Sequence, residues 1–124
     1  MNYKNIFRLD KKLAFVLGGS GYIGQEVVNG LLTSGAKVVV MDKHKINFPK
    51  NVKFYSLNFE NSKSYKKKFT TSFRKFGIPD ILINASYPKS KDWKSSKSEN
   101  LKSTSLDKNI KIHLNSYLWI ANFT

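Results

Sequence analysis

Gly18-Gly19-Ser20-Gly21-Tyr22-Ile23-Gly24 is the stretch on which the reading of the fold turns. It follows Lys12–Leu17 (KLAFVL), a short apolar run that reads as a buried strand stopping in a tight turn. Beyond the glycines, Ile23, Val27, Val28, Leu31 and Leu32 recur at helical spacing until Ser34-Gly35 supplies a stop. Ala36–Met41 (AKVVVM) is β-branched and apolar on both faces, as a strand covered by helices on each side must be, and Asp42 ends it. The first 42 residues therefore read strand, glycine turn, helix, strand.

Working outward, Val52–Leu57 (VKFYSL) is a third strand. Tyr65, Phe69, Phe73 and Phe76 mark one face of a second helix that ends at Gly77, with Pro79 beyond it. Asp80–Asn84 (DILIN) is a fourth strand. Residues 87–105, rich in Lys and Ser, read as a mobile surface loop. From Leu106 onward, Ile110, His113, Leu114, Tyr117, Leu118 and Ala121 outline a last amphipathic helix. The order calls for an α/β fold: one Rossmann-like, doubly wound parallel sheet over residues 1–124, with about four strands in the order 3-2-1-4.

At 124 residues the chain has room for one domain. No Cys is present, which excludes disulfide scaffolds and Cys-ligated metal sites. His44 and His113 are too isolated to suggest a zinc site, so no metal is expected. No apolar stretch approaches the ~20 residues of a membrane span. The segment Met1–Ile6 has no secretory h-region, so a cytoplasmic protein is the expectation. The net charge of +14 invites a nucleic-acid reading. Against it, only Arg8 and Arg74 among the 22 basic residues are arginine, and the lysines are dispersed outside Lys66-Lys67-Lys68. They read as a solvated surface, with no nucleic-acid and no membrane partner.

The glycine turn has the context that makes it a dinucleotide-binding motif: a strand before, a helix after and an acid closing the next strand. Gly18 suits the tight turn, Gly21 lets the backbone approach a pyrophosphate and Gly24 lets the helix pack close. Ser20, Tyr22 and Ile23 complete the cradle. Asp42 lies 24 residues beyond Gly18, near the ~20 expected of an acid that binds ribose hydroxyls. It favours NAD over NADP, an effect that Lys43 and Lys45 soften.

On these residues the chain resembles the short-chain dehydrogenase/reductase family of NAD(P)-dependent oxidoreductases. The spacing Gly-x-x-Gly-x-x-Gly is the form of extended and atypical members; the commoner short-chain form would place glycine at Tyr22. Asn58-Phe59 stands where the family lines its adenine pocket with Asp and an apolar residue. Asn84-Ala85-Ser86 looks like the end of the family's Asn-Asn-Ala-Gly segment, with Ile83 and Ser86 in place of its first Asn and its Gly. Extended epimerases and dehydratases usually end this strand in His-Leu-Ala-Ala, which favours the dehydrogenase side. Tyr87-Pro88 is similar to a subset of bacterial oxidoreductases of flagellin or surface-sugar modification.

The resemblance implies hydride transfer between a nicotinamide and a carbonyl or hydroxyl group of a small-molecule substrate. Two residues compete for the family's catalytic Asn on the last helix. Asn115 is favoured on chemistry, while His113 fits the Asn-Leu-x-Gly register. The family's Tyr-x-x-x-Lys pair falls beyond residue 124, so the chain is expected to be the cofactor half of a member and inactive alone. The literal match Tyr87…Lys91 sits in a loop. Alternatives are a non-catalytic dinucleotide-binding module and a fragment of an extended-type nucleotide-sugar epimerase or dehydratase. A homo-oligomer built through the last helix is a further expectation.

Overall fold

The computed structural model describes residues 6–59, 64–90, 92–93 and 98–123. Strands β1 (Leu13–Leu17), β2 (Lys37–Asp42), β3 (Lys53–Ser56) and β4 (Ile81–Asn84) form one parallel sheet in the order β3-β2-β1-β4. Helices α1 (Tyr22–Thr33), α2 (Tyr65–Phe76) and α3 (Ser103–Phe123) complete the chain. The expected Rossmann-like order is the observed one.

Strand alternation sorts the core into two layers. Phe15, Leu17, Val39 and Met41 face α2 and α3, where they pack with Leu57, Tyr65, Phe69 and Ile120. Ala14, Val16, Val38 and Val40 face the opposite side and pack with Val28 and Leu31 of α1. Leu13–Leu17 and Val38–Met41 are thus apolar at every position because both faces of the central strands are covered. In the first layer Phe73 lies 5.9 Å from both Phe15 and Phe69, ring centre to ring centre. The Tyr65 hydroxyl is fully buried and donates to the Phe59 carbonyl, so its polar tip is not stranded in that layer.

Three details differ from expectation. First, α3 begins at Ser103 rather than Leu106, because tertiary bonds hold its serine-rich first turn. Buried Asn109 donates to the Ser105 carbonyl at 2.7 Å and to Ser90 Oγ at 2.7 Å, and accepts the Ser90 amide at 3.0 Å. These bonds offset the weak helix preference of Ser and Thr there. Second, the same contacts tie Ser90, within the segment read as a loop over 87–105, to α3. Ser90 and Pro88 are buried, and a short 3-10 turn spans Ser98–Asn100. Residues 91 and 94–97 of that segment lie outside the described residues, as does the Met1–Asn5 stretch that was read for a signal. Third, Leu106, Ile110, Leu114 and Leu118 of α3 form an exposed apolar row. Among the described residues, no helix is long and apolar enough to cross a membrane.

Candidate functional site

The C-terminal ends of β1, β2 and β4 converge on the glycine turn, the position where open parallel sheets bind ligands. Gly18 leaves β1 with φ +73°, and its amide donates to the Met41 carbonyl at 2.9 Å. A Cβ at 18 would lie 2.6 Å from both the Cα and the amide nitrogen of Ser86, so turn and β4 end meet backbone to backbone. At Gly24 a Cβ would collide with the Gly18 carbonyl oxygen and come within 2.7 Å of the Gly19 Cα. Glycine at 18 and 24 is thus required by the protein's own packing.

Gly21 is different. Its backbone is ordinary extended chain, φ −75° and ψ 166°, and a Cβ there would meet only the Gly18 carbonyl oxygen, at an ordinary 3.4 Å. Among the described residues nothing requires glycine at this position. It is also the N-cap of α1, where Ser, Thr, Asp or Asn would normally satisfy helix amides. The amides of Tyr22, Ile23 and Gly24 have no intrahelical partner, Gly21 offers no side chain to them, and no acid stands in the first turn. A bare backbone with outward amides fits a phosphate placed against it.

The groove beyond this turn has a volume of about 420 Å³. Of the residues expected at a cofactor site, Gly18, Gly21, Tyr22, Ile23, Gly24, Asp42, Lys43, Asn58, Phe59, Ala85 and Ser86 line it. Tyr22 and Ile23 are 93% and 76% exposed there, apolar surface on the protein's side of the groove. Asp42 accepts the Ser20 amide on Oδ2 at 3.1 Å and the His44 amide on Oδ1 at 3.2 Å. Each oxygen keeps a further lone pair.

Ser20 and Asn84 do not line the groove. The Ser20 hydroxyl turns to the His44 carbonyl, 2.5 Å away. Asn84 Oδ1 accepts both the amide and the hydroxyl of Ser86, at 3.0 and 2.5 Å, and so shapes the turn after β4. The two candidates on α3 part company. Asn115 lines a separate groove with Phe59, Tyr65, Lys108 and Lys111. His113 lies with its ring 4.4 Å from that of Tyr87, a groove residue, and its Nδ1 is 3.4 Å from the Tyr117 hydroxyl. The Tyr117 hydroxyl donates to the Ser86 carbonyl at 2.9 Å, and burial, with Tyr87 adding to it, pushes its pKa up. Neither residue lines the main groove itself: His113 adjoins it through Tyr87, and Asn115 through Phe59, which lines both grooves.

Tyr87, Pro88 and Lys89 also line the groove and were not among the expected site residues. Their signal was positional: they follow directly on the C-terminal end of a parallel strand. Among the described residues no group of three His, Asp or Glu side chains could hold a metal.

Comparison with known proteins bears on this arrangement. No curated protein sequence matches the chain. The family model described as the NAD dependent epimerase/dehydratase family matches residues 14–115. Among solved structures, a short-chain dehydrogenase from Leptospira borgpetersenii with bound NAD+ is 24% identical with TM-score 0.78, over 100% of this chain and 48% of its own. Thermoplasma acidophilum aldohexose dehydrogenase, ligand-free, is 22% identical with TM-score 0.74, over 96% of this chain and 44% of its own. The Pseudomonas aeruginosa RhlG/NADP active-site complex is 18% identical with TM-score 0.72, over 91% and 46%. The chain thus spans about half the length of these proteins, whose likeness is one of fold. With the family model covering most of the sequence and the fold agreeing with it, the chain belongs to the NAD dependent epimerase/dehydratase family.

Proposed function

We propose that the groove binds NAD, and that the chain is the cofactor-binding part of an oxidoreductase acting on a carbonyl or hydroxyl group of a small molecule. The observation that carries this reading is Gly21, a glycine that neither backbone angle nor packing among the described residues requires, lining the groove at a helix N-terminus. The nicotinamide supplies or accepts the hydride; what this chain contributes is binding and orientation. The amides of the first turn of α1 would hold the pyrophosphate. Asp42, with a lone pair to spare on each oxygen, would accept the adenosine ribose hydroxyls and repel a 2′-phosphate, which favours NAD over NADP. Asn58 and Phe59 would flank the adenine, and Ala85, Ser86 and Tyr87 would bound the nicotinamide end of the groove. His113, whose ring lies against that of Tyr87, would act near that end, with Asn115 the other candidate on α3.

A second reading, a portion of a nucleotide-sugar epimerase or dehydratase, is favoured by the matching family model and by the Gly-x-x-Gly-x-x-Gly spacing. Both readings use the same NAD site. Calorimetric titration with NAD tests that site: saturable one-site binding, tighter than NADP, is expected, and no heat of binding for either dinucleotide would overturn it.

A further inference from the structure

We infer that Ser20 is a positioning residue for Asp42: its hydroxyl straps the segment after β2 onto the glycine turn and thereby sets the preference for a free ribose 2′-hydroxyl over a 2′-phosphate. The inference rests on the assignment of the groove to NAD. Ser20 stands inside the glycine motif, yet it is absent from the groove wall that Gly18 and Gly21 form. Its polar groups turn to the end of β2 instead. The amide donates to Asp42 Oδ2 at 3.1 Å, and the hydroxyl donates to the His44 carbonyl at 2.5 Å. The His44 amide closes the circuit on Asp42 Oδ1 at 3.2 Å. From the helix side, Gln25 Nε2 donates to the Ser20 carbonyl at 3.0 Å.

This circuit fixes the carboxylate from both sides, because each oxygen accepts one backbone amide. Among its described bonds two depend on side chains other than that of Asp42, and of these only the Ser20 hydroxyl reaches residue 44. Without it, residue 44 loses its tether to the turn, and the amide that holds Oδ1 loosens with it. The carboxylate can then rotate away from the ribose diol, and the segment bearing Lys43 and Lys45 is free to approach a 2′-phosphate. NAD binding should weaken while NADP binding holds or improves. A serine that merely filled the turn would affect folding stability and both dinucleotides alike.

The test is a calorimetric comparison of NAD and NADP binding to the parent, Ser20→Ala, Ser20→Gly and Ser20→Thr, each checked for folding by circular dichroism. Ser20→Gly removes the hydroxyl in a residue that turns accept readily, should Ser20→Ala misfold. The expected result is a fall in the NAD-over-NADP affinity ratio of about three- to tenfold in the Ala and Gly variants. Thr should restore the ratio, and Ser20→Ala added to Asp42→Ala should cause no further fall. An unchanged ratio in a folded Ala or Gly variant, or equal weakening of both dinucleotides, would overturn the strap while leaving the NAD site standing. If the parent binds neither dinucleotide, the NAD assignment fails and the strap with it.

Discussion

The carbonyl oxygen of Gly18 occupies the place where a side chain on Gly24 would begin. This contact seats the first turn of α1 against the end of β1, and it holds the helix amides at the groove. Gly24→Ala should therefore cost about 1–3 kcal/mol of stability through forced backbone displacement, although alanine is the better helix former. Urea denaturation of the two proteins gives the difference directly.

Asp42 makes a separable contribution. Its amide bonds tie the turn to β2, and each oxygen keeps a lone pair for the ribose hydroxyls of the proposed NAD. Asp42→Ala should weaken NAD about tenfold, the loss expected for hydrogen bonds to a charged acceptor, and spare NADP. Calorimetry with both dinucleotides on the same preparation measures it.

Phe69 tests the packing that holds α2 in place. It is 1% exposed and its ring centre is 5.9 Å from that of Phe73. Phe69→Ala should cost about 3–5 kcal/mol, a large share of the ~5–15 kcal/mol that stabilises a typical domain. A fall in melting temperature, read by circular dichroism, is the check.

Asp80 gives a pH dependence. The Leu13 amide at 2.9 Å, and then the Lys12 ammonium at 2.9 Å, hold its pKa below the ordinary carboxylate value. A depressed folded-state pKa contributes stability that is present above the unfolded value of ~3.9 and is lost as pH falls through the folded value. Denaturation midpoints should drop below about pH 4 in the parent, and less steeply in Asp80→Asn. Asp10 and Asp92 are depressed as well, so a residual slope should persist in that variant.

Much of this molecule is legible in its sequence because periodicity is local. Val38-Val39-Val40-Met41 and the Tyr65, Phe69, Phe73, Phe76 row announce their elements, and the glycine spacing places the groove. What stayed hidden depends on tertiary contacts. The early start of α3 requires Asn109 to reach Ser90, 19 residues away, which no local pattern encodes. Asn115 and His113 are two positions apart, so a helix turns them to different sides; that His113 meets Tyr87 while Asn115 shares a groove with Phe59 is set by folding, not by local pattern. Ser20 reads as a cradle residue from its place in the motif, but its hydroxyl is engaged by a carbonyl that only folding brings near.

The most direct test of the account is calorimetric titration of NAD into the parent and into Gly21→Val. The backbone at 21 suits a branched residue and a Cβ there makes only an ordinary contact, so the variant should keep the parent's circular-dichroism spectrum and nearly its melting temperature. Its side chain would stand where the pyrophosphate must approach. The account predicts binding by the parent and none by Gly21→Val. A folded Gly21→Val that binds NAD as tightly as the parent would contradict it.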